Sequence, residues 1–190
     1  MNEKEFIKTI KKEEKKSKKK SDTKWIFIVT LLSLVISISF SLLSEILMPN
    51  ANIVVGSIIM LVFIFIGIIF DILGVSVTTA EENSYHSMAA KKVKGARLAV
   101  KLKQNASKTS SIFCDVVGDI CGIVSGSAGV YISIKLSNYL GINALVTLLL
   151  ITGVISALTI GGKAIGKSYA INNSTSILYR FSKFLSLFSR

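Results

Sequence analysis

Residues 144–162 read ALVTLLLITGVISALTIGG, and this run decides the class of the fold. Its length is close to the roughly 20 apolar residues that a helix needs to cross about 30 Å of hydrocarbon. It continues directly into Lys163-Ala-Ile-Gly166-Lys167, so two lysines lie four residues apart where the span would leave the membrane. Lys163 has two open interpretations: a side chain that snorkels to the interface, or a residue at an ion site.

Three earlier runs have the same character, and the whole chain of 190 residues is 51% hydrophobic. Backbone polar groups cannot stay unpaired in lipid, so such runs should be helices. We therefore predict an all-α, polytopic membrane protein with four transmembrane helices and no soluble globular module. The expected spans are about 25–48, 53–77, 110–134 and 144–163.

The basic residues predict the orientation of these spans. The formal net charge is +12, with ten Lys/Arg in residues 1–24, seven in 78–109 and five in 163–190, whereas the connections 49–52 and 136–143 hold none. Positive residues stay on the side that is not translocated. We expect a multi-pass protein of the cell membrane with both termini in the cytoplasm. No aromatic-interleaved basic module accompanies the charge, so no nucleic-acid partner is expected.

The polar segments complete the organisation. Residues 1–23 form a charged cytoplasmic tail, whose lysines either contact anionic headgroups or only anchor the topology. The transmembrane domain is 24–173, and Pro49 should turn its first two spans into a hairpin. The segment from Glu81 to Ala106 is predicted to be one cytoplasmic helix. Residues 174–190 are predicted to be a basic amphipathic helix in the interface, with the bilayer as its partner.

Charged residues inside spans are functional candidates, because burying a charge in lipid is costly. Asp115 and Asp119 are four residues apart and share a helix face. Asp119 should lie about 13 Å into the membrane, so it needs a proton, a cation or a basic partner. Asp71 and Glu45 lie near span ends, where their carboxylates can reach the interface.

Glycines are spaced to let helices approach closely. Gly118, Gly122 and Gly126 repeat every four residues, and Gly162 and Gly166 share that spacing. Small residues so placed are typical of helix packing in membranes. If the two glycine faces pack together, Asp119 and Lys163 come within reach of each other. No nucleophile, phosphate-binding loop, Cys/His cluster or paired-carboxylate enzyme site is visible, so we do not expect an enzyme.

Three stretches resemble known motifs: Thr78-Thr79-Ala80-Glu81, Val117-Gly118-Asp119, and Gly162 to Ala170. Their order resembles the transmembrane domain of the CorB/CorC/cyclin-M magnesium and cobalt transporters, without the soluble regulatory domains of that family. The resemblance implies a homodimer that moves Mg²⁺ or Co²⁺. It also implies an ion pathway, or the remnant of one, formed by Thr78, Glu81, Asp115, Asp119 and Lys163. Asp119 is the candidate metal ligand.

The departures from the family motifs fall on the ion site. Ala80 replaces a serine, Lys163 takes the position of a glutamate, and Gly166 replaces a proline. Mg²⁺ prefers oxygen ligands, and a lysine in its shell repels the ion. Two hypotheses follow: a divalent-cation transporter, or a non-transporting structural or regulatory relative in which an Asp119–Lys163 pair replaces the ion.

Overall fold

A computed structural model describes residues 23–47 and 52–188, and every element in these ranges is helical. Four of the helices are long and apolar enough to cross a membrane, which confirms the predicted all-α class and indicates a membrane protein. The elements are α1 (Thr23–Leu47), α2 (Ile53–Thr79), α3 (Glu82–Ala90), α4 (Ala96–Gln104), α5 (Ala106–Ser110), a π-helical segment (Ser111–Val117), α6 (Gly118–Leu140), α7 (Ala144–Asn172) and α8 (Ser174–Phe188).

The chain divides into two units, residues 1–35 and 36–190. In the first unit, the described part of α1 exposes its large apolar side chains, as a lipid-facing helix would. In the second unit, Phe40 near the end of α1 packs edge-on against Phe63 of α2, with ring centroids 6.2 Å apart. The predicted charged tail and the Pro49 turn lie outside the described residues.

Helices α2, α6 and α7 pack against one another. Their shared interior, called the span core below, is built from buried apolar residues: Met60, Ile64, Ala128, Ile132 and Ile155. Glycines let the helices approach closely: a Cβ placed on Gly67 of α2 would lie 3.2 Å from the Cβ of Cys121 on α6. The span core therefore depends on small residues at helix crossings, as expected in lipid.

The short helices α3, α4 and α8, called the basic layer below, pack at the end of the spans where α2 finishes. They enclose a second core with its own set of buried residues: Val77, Ala80, Tyr85, Ala99 and Leu178. The ring of Phe113, in the π-helical segment, stacks edge-on against Phe70 of α2 and Phe181 of α8. This aromatic chain fixes the basic layer to the spans.

One helix differs from the prediction. The expected single helix from Glu81 to Ala106 is broken at residues 91–95, where Lys92 and Gly95 have positive φ angles of 55° and 85°. The last spanning helix continues past Lys163 and ends at Asn172. Polar residues beyond the apolar run extend it, because backbone hydrogen bonding rather than hydropathy decides where a helix ends.

Candidate functional site

The two acids of the third span lie on its outer surface. Asp115 belongs to the π-helical segment and Asp119 to the first turn of α6, and both side chains are exposed. Gly122 is exposed as well, and Gly126 is partly so. A Cβ added to either glycine would meet no atom within 4 Å. These four residues form a surface, the acid face, that no part of the described chain covers.

The two sets of glycines do not pack against each other within the chain, for a geometric reason. Four residues turn an α-helix by about 400°, so a four-residue repeat drifts about 40° around the helix at each step. Gly118 is therefore buried while Gly122 points outward. Gly166 does not meet the α6 glycines either: a Cβ there would lie 2.8 Å from Cγ1 of Ile72 on α2, and Gly162 faces Ile68.

Lys163 lies at the contact between α7 and α6. Its Nζ is 3.6 Å from where a Cβ of Gly118 would be, and its charge reaches the Cys121 thiol. Among the described residues, the only ion pair within 4.0 Å joins His86 to Glu82. The predicted Asp119–Lys163 pair is therefore not formed within one chain, because Asp119 points outward while Lys163 lies at the contact between α6 and α7.

Thr78 and Glu81 lie apart from the acid face. Gly67 is level with Gly118 and Gly74 with Cys114, so Thr78 lies about 16 Å along the helix axis from the level of Gly118 and about 6 Å from that of Cys114. The Thr78 hydroxyl donates to the carbonyl of Val75 (2.8 Å), and its own carbonyl accepts from Nζ of Lys103 (2.7 Å). Glu81 is exposed before α3. The structure does not bring these residues to the two aspartates.

In the described residues, no group of three or more His, Cys, Asp or Glu side chains could hold a metal ion. The predicted site residues therefore lie in three places. Asp115 and Asp119 are on the acid face, Lys163 is at the contact between α6 and α7, and Thr78 and Glu81 are nearer the basic layer.

Tyr85 is a residue that sequence reasoning missed. Its side chain is fully buried in the basic layer, and its hydroxyl donates to the carbonyl oxygen of Thr175 in α8 (2.9 Å). Burial raises the pKa of Tyr85 to about 12, partly offset by this hydrogen bond. The only sequence signal was an aromatic residue within the otherwise small and polar run from Glu81 to Ala90. Tyr85 ties α3 to α8.

No family model matches this chain, and neither a curated protein nor a solved structure matches it. The resemblance to the CorB/CorC/cyclin-M transporters therefore stays a prediction that rests on the three motifs alone.

Proposed function

We propose that the protein is a non-transporting structural or regulatory protein of the cell membrane, and that it works as a homodimer. Both termini and the basic layer lie in the cytoplasm, as the positive-inside rule requires of segments rich in lysine. The observation that carries the proposal is the acid face. Two carboxylates, Asp115 and Asp119, are exposed on a helix that is long and apolar enough to span a membrane.

An exposed carboxylate at membrane depth needs compensation from outside the chain. Charged side chains within spans almost always pair with a partner or face a polar interior. No described residue lies within 4 Å of a Cβ added to Gly122 or Gly126, so another helix can approach the acid face closely. A protein partner with basic residues at the same depth satisfies both requirements.

A second copy of the chain carries such residues. Lys163 is level with Gly118, and Lys167 follows it by four residues, about 6 Å nearer the basic layer. Asp115 is displaced from Asp119 by the same four residues in the same direction, because α6 and α7 are antiparallel. A dimer related by a twofold axis along the membrane normal preserves depth, so each aspartate lies at the same depth as a lysine of the partner. Lys167 is exposed and free of ion pairs within the described chain.

The position of Lys163 supports a non-transporting role. A fixed ammonium beside Gly118 repels a dehydrated cation where the family motif would hold one. Thr78 and Glu81 are too far along the helices to complete a ligand shell with Asp119. We propose no catalytic role and no resident metal.

Transport of Mg²⁺ or Co²⁺ is the second candidate, and one observation favours it. Asp115 lies in the π-helical segment, Ser111–Val117, one turn before Asp119. Short π-helical stretches occur frequently at functional sites. In this alternative the divalent cation is a substrate that passes along the two carboxylates.

The first test measures dimerisation in lipid, by energy transfer between labelled copies in liposomes. Asp115→Asn with Asp119→Asn should weaken the dimer about tenfold or more, since four proposed charge pairs in the membrane, two from each protomer's aspartates, are lost. Glu45→Gln, which neutralises a different exposed carboxylate near a span end, is the matched control and should change little. Exchanging the charges, with lysine at 115 and 119 and aspartate at 163 and 167, should restore dimerisation. A monomeric wild-type protein would contradict the proposal.

The second test measures divalent-cation flux with an entrapped Mg²⁺-sensitive dye in the same liposomes. We expect the wild-type rate to equal that of protein-free liposomes. A flux that Asp119→Asn abolishes would instead establish the transport alternative.

A further inference from the structure

A cavity opens between α4 and α8 in the basic layer. It has a volume of about 200 Å³ and is lined by Gly95, Arg97, Leu98, Lys101 and Ser186. The two helices meet at backbone level beside it: a Cβ on Gly95 would lie 2.7 Å from Cα of Lys183. Because the joint is made of main chain, the cleft walls are held by a close contact that a larger residue at 95 would disrupt.

The cleft is positively charged and has no counter-ion of its own. Arg97 and Lys101 are four residues apart, so they lie on the same side of α4. Both are exposed, and neither makes an ion pair in the described part of the chain. The sequence holds no acidic residue from 83 to 114, nor from 120 to 190, so neither wall of the cleft carries a carboxylate.

The backbone adds to the same electrostatic character. Helix α4 has nine residues and no side-chain N-cap. The amides of its first turn, at Arg97 and Leu98, belong to residues that line the cleft. Unpaired N–H groups and the positive end of a helix dipole favour an anion. Ser186 lines the wall opposite α4, and its hydroxyl donates to the carbonyl of Lys183 (2.7 Å).

The surroundings of the cleft are those of a membrane interface. On α8, Phe184, Leu187 and Phe188 are exposed, while Phe181 packs on Phe113 of the third span. Exposed aromatic and aliphatic side chains beside basic ones are typical of helices at the headgroup level. Leu98 gives the cleft one apolar wall. A ligand that is anionic at one end and apolar at the other fits both features.

We propose that this cleft binds a phosphate group, with Arg97 and Lys101 as the charged contacts and the amides at the start of α4 as additional donors. The position beside the exposed face of α8 favours the phosphodiester of an anionic phospholipid over free phosphate. This site is separate from the acid face and does not depend on the dimer.

The test uses the full-length protein in an uncharged detergent, titrated with phosphatidylglycerol or phosphatidylcholine and monitored by native mass spectrometry. Phosphatidylglycerol should bind the wild type more tightly than phosphatidylcholine. Arg97→Gln with Lys101→Gln should weaken that binding about thirtyfold, or about fivefold for each basic residue. The matched control, Lys91→Gln with Lys92→Gln, removes the same charge from exposed positions outside the cleft and should leave binding unchanged.

A second variant separates shape from charge. Ser186→Leu fills the cleft without altering charge and should also abolish retention of phosphatidylglycerol, with the helical circular dichroism signal unchanged. Competition with inorganic phosphate distinguishes the source: no displacement identifies the lipid, and displacement identifies a site for the phosphate group itself. Equal binding of the two lipids, or equal loss in both double variants, would overturn the proposal.

Discussion

The span core and the core of the basic layer are built by different means. In the span core, branched aliphatic residues such as Ile64 and Ile132 pack where glycines let the helices approach. In the basic layer, Tyr85 and Leu178 are almost fully buried between short helices, and the tyrosine hydroxyl is hydrogen-bonded. Lipid tails are as apolar as isoleucine, so helices in lipid gain mainly from close packing. A layer that meets water gains from burial itself.

Within one chain, close packing stabilises the helices in lipid, and burial of apolar surface stabilises the layer next to them. Helix α2 belongs to both environments, since its Met60 and Ile64 lie in the span core and its Val77 lies in the core of the basic layer. The two cores should therefore respond differently to the same kind of substitution, and three predictions use that difference.

The largest effect is expected when equivalent aliphatic side chains are truncated in the two cores. Leu178→Ala should lower the free energy of unfolding by about 4 kcal/mol, because both burial and packing are lost. Ile155→Ala should lower it by about 1.5 kcal/mol, since mainly packing contacts are lost in lipid. Reversible unfolding in mixed micelles, followed by circular dichroism, measures both. Equal losses would mean that the two cores are stabilised in the same way.

The next effect concerns the backbone joint of the basic layer. Gly95→Ala should lower the free energy of unfolding by about 3 kcal/mol, because a positive φ is combined with a clash against the Lys183 backbone. Gly141→Ala is the matched control: its φ is +66° but nothing lies within 4 Å of the added Cβ, so only about 1 kcal/mol should be lost. Thermal unfolding monitored by a thiol-reactive dye on Cys114 and Cys121 reports both. If the two variants have the same melting temperature, the close contact between Gly95 and Lys183 does not contribute to stability.

The smallest effect tests the polar contact in the core of the basic layer. Tyr85→Phe removes the hydrogen bond to the Thr175 carbonyl and should cost about 1 kcal/mol at neutral pH. Burial raises the pKa of Tyr85 from 10.0 to about 12, so the folded state holds its proton more tightly than the unfolded state. This stabilisation is present below pH 10 and is lost as the pH rises from 10 to about 12.

The wild type should therefore lose up to about 2 kcal/mol more than Tyr85→Phe over that pH range. Lysines titrate in both proteins, so the difference between the two curves isolates the tyrosine. Parallel curves would show that the Tyr85 hydroxyl is no more buried in the folded state than in the unfolded one.

Much of the fold could be predicted because the relevant signals are local. The run from Ala144 to Gly162 is apolar over the length of a bilayer, and a backbone in lipid has to be helical. The break at Gly95 could not be predicted in this way, because the helix-forming residues on either side gave no sign that Lys183 would approach its backbone.

The candidate site was predicted less well, since it depended on rotation about the helix axes. The sequence placed Asp115 and Asp119 on one face but did not indicate whether that face points inward or outward. A drift of about 40° for each four residues separates Gly118 from Gly122, and packing against α2 decides which of them is buried. The intramolecular pair between Asp119 and Lys163 failed for that reason.

The sequence by itself determined the helical class, the four spans and the concentration of positive charge at the ends of the chain and in its central connection. These depend on length, hydropathy and charge, which each segment carries independently of its neighbours. Tertiary structure alone decided that the acid face is uncovered, that Lys163 lies beside Gly118, and that Arg97 and Lys101 line one cleft with Ser186. Such arrangements join residues distant in sequence, and they follow from which helix faces pack together.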